Sequence, residues 1–332
     1  MRIGVIGAGA IGGTIAALLE RAGHEIAVTA RGSGLEAIRA DGIQLSGAWG
    51  SHTARVAACE ALSRTPELAF VCTKAQDAAA AIGANAAHLA GIPVVVVQNG
   101  LEGLETASGL LPDSECIGAL ALFAANYTEP GTVRITATGN TYLGVGTAEP
   151  TAATRAAAAV LNTAIPSHAT GNFLGCQWTK LIINVVNAMP AITGMSVQET
   201  IADRRLRLIT TAAMREAARL GHDIGIRFGG LQGLNDLMLR MLGVAPLQLG
   251  QTLPRLMARR MGSTPNLGST LQSIRRGQKS EIDYLSGAVV AAARDHGTDA
   301  PINETLVALV HEVENTGSFI EPREVSGRVR LP

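Results

Sequence analysis

Arg2-Ile-Gly-Val-Ile-Gly7-Ala-Gly9-Ala-Ile-Gly12 is the stretch on which the architecture turns. Arg2 to Ile6 is a short apolar run of strand type, and Gly7, Gly9 and Gly12 follow it with GxGxxG spacing. A helical pattern runs from about Ile11 to Arg21 and ends at Ala22-Gly23. Glu25 to Thr29 reads as a second strand, which completes a βαβ unit. In that setting Gly7 permits the tight turn, Gly9 lets a pyrophosphate approach the backbone, and Gly12 lets the helix sit close to the sheet. The helix N-terminus then offers N–H groups to phosphates. Gly7, Ala8, Gly9, Ala10, Ile11 and Gly12 therefore form a dinucleotide-binding candidate. A glycine-rich turn without ligand is the bland alternative.

The end of the second strand discriminates between nucleotides. An NAD site usually carries Asp or Glu there for the ribose hydroxyls. This chain has Ala30-Arg31-Gly32-Ser33. An arginine pairs with a 2′-phosphate and an acid repels it, so the expected cofactor is NADP(H). The missing acid also argues against a methyltransferase. An Arg31 that only faces solvent is the alternative.

Further along, the spacing predicts a helix over Ser33–Arg39, a buried strand over Leu68–Cys72, an Ala-rich helix over Gln76–Leu89 and a strand over Pro93–Val97. Strands alternating with helices imply a Rossmann-type, doubly wound, mainly parallel sheet. The rhythm changes near Cys116. Runs at Cys116–Ala125, Gly131–Ala137 and Thr141–Val145, with turns at Glu129-Pro-Gly131 and Gly139-Asn140, suggest antiparallel strands closing the first domain. Pro166–Asn172 is the linker candidate. The expected division is residues 1–168 as the NADP-binding domain and 169–332 as an all-helical substrate and catalytic domain. Helices are predicted at Leu174–Ile192, Asp203–Leu220, Leu231–Leu242, Leu247–Met261, Glu281–Asp295 and Asn303–Glu314.

Composition narrows the function. The chain has 332 residues, 27 Lys plus Arg against 27 Asp plus Glu, and no net charge, so a nucleic-acid partner is not expected. Arg204, Arg205 and Arg207 read as the polar face of a helix. Cys59, Cys72, Cys116 and Cys176 are scattered, which indicates buried free thiols rather than zinc or disulfides. The seven histidines are isolated, and no metal is expected. Ile3 to Leu19 is apolar, but its glycines disfavour a signal or membrane helix, so a cytoplasmic chain with no membrane partner is expected. Met238, Leu239, Met241 and Leu242 would serve either a homodimer face or core packing.

Reduction of a carbonyl needs a proton donor and polar groups that hold the substrate. Trp178-Thr-Lys180-Leu-Ile-Ile-Asn184-Val-Val-Asn187 lies on a strongly apolar predicted helix. Lys180 and Asn184 are four apart and share a face, and Asn187 lies near it. Three polar groups in line on such a helix require partners. Interhelical hydrogen bonding with a snorkelling Lys180 is the bland reading.

At this point the sequence resembles the ketopantoate reductase (2-dehydropantoate 2-reductase) family over nearly the whole chain. The matching pieces are Gly7 to Gly12, Val71-Cys-Thr-Lys74, Gln98-Asn99-Gly100, Trp178-Thr-Lys180-Leu with Asn184, and Asn266-Leu-Gly-Ser269 with Glu281-Ile-Asp283. The resemblance implies an NADPH-dependent reductase of a small 2-oxo acid, foremost 2-dehydropantoate to (R)-pantoate. It implies Lys180 as general acid and Glu281 as the acid that hydrogen-bonds the substrate hydroxyl. Asn184, Asn266 and Ser269 would surround the substrate. Asn99 would lie near nicotinamide and substrate, and Lys74 near the cofactor and the substrate carboxylate. Alternatives remain for each: a strand-end lysine at Lys74, a plain turn at Asn99-Gly100, and a helix-terminal acid at Glu281.

The chain also departs from the family pattern. Asn187-Ala-Met-Pro190 stands where many members have Ile-Asn-Pro, with the asparagine one position earlier. Ser273 replaces a frequent Asp, and near Gln198 no substrate-binding asparagine is found. These differences keep two further readings open: a reductase of another 2-oxo acid, and an NADP(H)-binding sensor without turnover. An opine-type dehydrogenase would lean on a His–Asp pair, which the sequence does not display.

Overall fold

The computed structural model describes residues 1–262 and 265–331, and the chain divides into two compact units, Met1–Leu174 and Gly175–Pro332. The N-terminal unit is built on strands β1 (Arg2–Ile6), β2 (Glu25–Thr29), β3 (Ile43–Gly47), β4 (His52–Ala54), β5 (Ala57–Cys59), β6 (Leu68–Val71), β7 (Val94–Val97), β8 (Cys116–Ala121), β9 (Ala124–Glu129), β10 (Thr132–Ala137), β11 (Thr141–Gly144) and β12 (Ser167–Ala169). Its helices are α1 (Ala10–Arg21), α2 (Gly32–Asp41), α3 (Ala75–Gly83), α4 (Ala86–Leu89), α5 (Gly103–Leu110) and α6 (Ala152–Asn162). The main sheet runs β12-β11-β8-β7-β6-β1-β2-β5. From β5 to β8 neighbouring strands are parallel. Every residue of β6 and β7 is buried, as expected of strands covered on both faces. β11 then pairs antiparallel with β8.

A second sheet, of order β4-β3-β10-β9, was not foreseen. The expected Cys116–Ala125 run is in fact two strands. β8 stays in the main sheet, while β9 leaves it to pair with β10. β8 is buried throughout, whereas β9 has no fully buried residue, and the mostly small apolar run that contains both does not mark where the chain changes sheet. Pro166–Asn172 is likewise not a linker. Ser167–Ala169 pairs parallel with β11, and the unit boundary falls later, at Leu174. Phe173 closes the unit: it is fully buried, and an added Cβ on Gly118 would stand 2.2 Å from its ring. The Ala-rich segment 76–89 is two helices rather than one. Buried Asn85 interrupts it, taking the Leu62 N–H on Oδ1 and giving Nδ2 to the Ala81 carbonyl.

The C-terminal unit is helical among its described residues. Its elements are α7 (Phe173–Asn184), a 3₁₀ turn (Val185–Asn187), α8 (Ala188–Thr193), α9 (Val197–Ala202), α10 (Arg204–Asp223), α11 (Asp236–Val244), α12 (Leu247–Gly250), α13 (Thr252–Arg260), α14 (Gly268–Arg275), a second 3₁₀ turn (Ile282–Tyr284), α15 (Ser286–Asp295), α16 (Pro301–Thr316) and α17 (Pro322–Arg328). The single helix expected over Leu174–Ile192 is broken because Pro190 has no N–H for the helical ladder. The one expected from Leu231 begins only after Asn235, whose side chain caps Met238, since Gln232 and Gly233 adopt positive φ. Arg207 is not on a solvated face. It is buried, with Nη1 on the Ile201 and Ala202 carbonyls at the end of α9 and Nε on Gln251. Met238 and Met241 are exposed, whereas Leu239 and Leu242 are core residues. No helix among the described residues is long and apolar enough to cross a membrane.

Candidate active site

In the N-terminal unit the candidate residues gather at the carboxyl ends of the parallel strands, where doubly wound sheets bind ligands. The Gly7 and Ala8 N–H groups both donate to the Thr29 carbonyl, which ties the end of β1 to the end of β2. Gly7 has φ +93°, and an added Cβ would meet Thr73 Cγ2 at 2.8 Å, so the loop after β6 lies against the turn. A Cβ at Gly12 would stand 1.9 Å from the Gly7 carbonyl oxygen, whereas one at Gly9 would meet nothing within 4 Å. Gly7 and Gly12 thus serve the fold, and Gly9 leaves an open approach to the backbone. The first turn of α1 carries no acidic residue and no side-chain cap. Its N–H groups are therefore available to an anion.

The neighbouring strand ends complete this edge. Arg31 follows β2, is exposed, and has no side-chain partner among the described residues. Lys74 precedes α3, and Asn99 follows β7; both are half-buried and both make contacts within the protein. Gln98 donates Nε2 to the Thr73 carbonyl at 3.0 Å, linking the loops after β6 and β7. Buried Thr73 Oγ1 and Gln98 Oε1 have no hydrogen-bond partner among the described residues. Buried polar atoms seldom stay unpaired, so they favour an added ligand. An open glycine, an uncapped helix start, a lone arginine and unpaired polar atoms on one edge fit a phosphorylated dinucleotide. Thr73 and Gln98 lie inside the quoted motifs, but the sequence assigns them no role of their own, because nothing in their types distinguishes them from turn residues.

In the C-terminal unit, α7 is fixed by Trp178, Leu181 and Ile182, all buried, and by Thr179, whose hydroxyl donates to the Gly175 and Gly229 carbonyls. Lys180, Ile183, Asn184 and Asn187 form the only stripe between Gln177 and Met189 that is not fully buried. The Asn184 and Asn187 amides have no hydrogen-bond partner among the described residues. Burial pulls the Lys180 ammonium down from 10.5 to about 8, against the nearby Glu281 carboxylate, which pulls it up. That pair brings together residues distant in sequence. Glu281 is half-buried at the start of the second 3₁₀ turn, its carbonyl accepting the Tyr284 N–H.

Asn266 and Ser269 lie before and on α14. Asn266 Oδ1 accepts the Gly268 N–H, so its side chain shapes the turn, and Ser269 is exposed. Gln198 holds this turn through Oε1 on the Asn266 N–H, a role that sequence reasoning missed. An added Cβ at Gly268 would stand 2.7 Å from Asn187 Oδ1, which places Asn187 beside the same turn. Ser273, by contrast, is buried in the core side of α14. No cluster among the described residues has the makings of a metal site.

The ketopantoate reductase PanE/ApbA model matches residues 3–147, and the corresponding C-terminal model matches residues 172–314. The chain belongs to the ketopantoate reductase family. Members of this family are oxidoreductases acting on CH–OH groups with a nicotinamide cofactor, NADP(H), and the chain is an enzyme of that class. It is 26% identical over 316 residues to the 2-dehydropantoate 2-reductase of Archaeoglobus fulgidus, covering 95% of this chain and 98% of that protein. A PanE/ApbA family ketopantoate reductase from Ralstonia eutropha JMP134 superposes with a TM-score of 0.81 at 28% identity, covering 95% of this chain and 99% of the other. A D-mandelate dehydrogenase bound to NADH and anilino(oxo)acetate gives 0.80 at 18% identity, again over 95% and 99%, a likeness of fold.

Proposed function

We propose that the enzyme reduces 2-dehydropantoate to (R)-pantoate with NADPH, a step toward pantothenate and coenzyme A. The observation that carries this reading is Lys180, half-buried on the open stripe of α7, with a pKa brought to about 8 beside Glu281. Such a lysine is mostly protonated at neutral pH yet gives up its proton far more readily than a solvated one. The cofactor, when bound, supplies the hydride to C2 of the substrate. Lys180 stabilises the charge growing on the keto oxygen and passes it a proton. Glu281 accepts a hydrogen bond from the substrate hydroxyl and keeps Lys180 charged before reaction. On the C-terminal unit Asn184, Asn266 and Ser269 are the substrate-binding groups; on the N-terminal unit Asn99 and Lys74 stand at the edge that receives the cofactor, with Lys74 a cation suited to a carboxylate.

In this reading the N-terminal half binds the cofactor. Gly7 to Gly12 receives the pyrophosphate on the backbone and the start of α1, and Arg31 pairs with the 2′-phosphate. The C-terminal half contributes the proton donor and most substrate contacts.

A second reading, reduction of another 2-oxo acid, is favoured by Asn187, an unpartnered amide on the Lys180 stripe beside the Asn266–Ser269 turn. The test is NADPH oxidation followed with 2-dehydropantoate and a panel of 2-oxo acids, each also with NADH. Fastest turnover with 2-dehydropantoate and NADPH is expected. A higher kcat/KM on another panel member would transfer the assignment to that acid. No turnover on any, with NADPH still bound, would leave a sensor.

A further inference from the structure

Glu281 stands between two residues that are tied to a different helix. On α16, His311 and Glu314 lie one turn apart. His311 Nδ1 is 2.9 Å from Glu314 Oε2, and His311 Nε2 is 2.8 Å from Asp283 Oδ1 on the 3₁₀ turn. Glu314 Oε1 accepts the Ser280 N–H at 2.8 Å, and the Ser280 hydroxyl also bonds that carboxylate. Ser280 Oγ in turn accepts the Ile282 N–H at 3.3 Å. The segment that carries Glu281 is thus gripped before it, at Ser280, and after it, at Asp283. Ser280 and Ile282 are buried and Glu314 nearly so, so the Ser280–Glu314 half of the grip is shielded, whereas the His311–Asp283 half is open to solvent.

We infer that His311 is a positioning residue for Glu281, acting as an imidazolium that joins Glu314 to Asp283 and so fixes the Ser280–Tyr284 turn. The inference rests on the reading of Glu281 as a substrate-binding group. Both ring nitrogens face carboxylate oxygens, which only accept, and a neutral imidazole donates from one nitrogen alone. The protonated ring is the form that satisfies both contacts.

The surrounding charges agree. Burial alone would lower the His311 pKa, but Glu314 and Asp283 together outweigh it and raise the value above the ordinary 6.5. Among the described residues, Glu314 and Asp283 are the charges that act on His311. Glu312 is turned to Arg328 of α17, Glu216 of α10 is bound to Ile302 and Asn303 at the other end of α16, Arg294 of α15 pairs with Glu304, and α8 has no titratable side chain. Lys279 and Glu281 itself flank the turn. A group whose folded pKa is raised holds its contacts at low pH and loses them as pH rises through that value. The grip therefore loosens as pH rises through that raised value, and substrate affinity falls with it.

The experiment measures KM and kcat for 2-dehydropantoate across pH in the intact enzyme, with NADPH affinity and thermal midpoint alongside, for His311→Gln, His311→Lys and Glu281→Gln. His311→Gln is expected to raise KM about tenfold at pH 6 with kcat within about twofold, and to flatten the rise of KM at higher pH. His311→Lys, which keeps a cation there, should restore part of the affinity and also lack the histidine limb. NADPH affinity should not change in either variant. A KM–pH profile of His311→Gln that superposes on the wild type overturns the inference, as does failure of both His311 variants to fold. If Glu281→Gln is impaired while His311→Gln is not, the clamp alone fails. If Glu281→Gln keeps the wild-type KM, the reading of Glu281 fails and the clamp falls with it.

Discussion

The glycine-rich edge of the N-terminal unit and the Lys180 face of the C-terminal unit offer chemistry in different ways. At the first, the backbone is the binding surface. Gly7 and Gly12 leave no room for a Cβ, while Gly9 opens onto free space, and every element of the turn lies within one short stretch of chain. At the second, side chains act, and their properties come from packing. Lys180 is an ordinary lysine until burial and Glu281 bring its pKa to about 8. Recognition by backbone is written in spacing, whereas reactivity of a side chain is written in its surroundings.

The comparison can be broken most forcefully at Lys180. Lys180→Ala should lower kcat by ~10²–10⁴-fold, the usual worth of a proton donor, and leave NADPH affinity unchanged. Parallel loss of NADPH binding would mean that the two regions are not separable in this way. On the backbone side, Gly12→Ala should destabilise the fold by about 3 kcal/mol, because its Cβ meets a carbonyl oxygen that cannot move aside. Urea unfolding measures this, and an unshifted midpoint would contradict the packing. Arg31→Ala should cut the preference for NADPH over NADH by about 10–100-fold with no change in thermal midpoint, since the side chain is exposed and unpartnered.

Gly9→Ala sharpens the contrast with Gly12. Its unfolding midpoint should equal the wild type, while NADPH affinity falls about tenfold. Equal effects at both glycines would erase the distinction between a fold glycine and a ligand glycine. The smallest expected effect is a displaced pH limb. Lys180 acts protonated, so kcat/KM should fall as pH rises through about 8. Glu281 raises that pKa, so Glu281→Gln should move the limb to lower pH, in addition to its loss of substrate affinity. A limb that moves upward, or not at all, would remove Glu281 from the electrostatics of Lys180.

What was legible follows the range of the interactions involved. β1, α1 and β2 were read almost to the residue, because hydrophobic period and glycine turn chemistry are local. The second sheet was not, since whether β9 and β10 join the main sheet is decided by pairing with β3, far away in sequence. Asn85 and Pro190 broke predicted helices for opposite reasons. Pro190 lacks a donor, which its residue type announces, while Asn85 breaks its helix only because Leu62 is there to receive it.

The sequence by itself determined the nucleotide turn, the arginine in place of an acid at the end of β2, and the shared face of Lys180 and Asn184. Each depends on residue type and on spacing within a few turns of chain. Only the tertiary structure decided that Lys180 titrates near 8, that Thr73 and Gln98 are left with unpaired polar atoms, that Gln198 holds the Asn266 turn, and that Arg207 is buried. The physical reason is that desolvation and hydrogen-bond pairing depend on which distant groups share a volume, and local patterning carries no record of that.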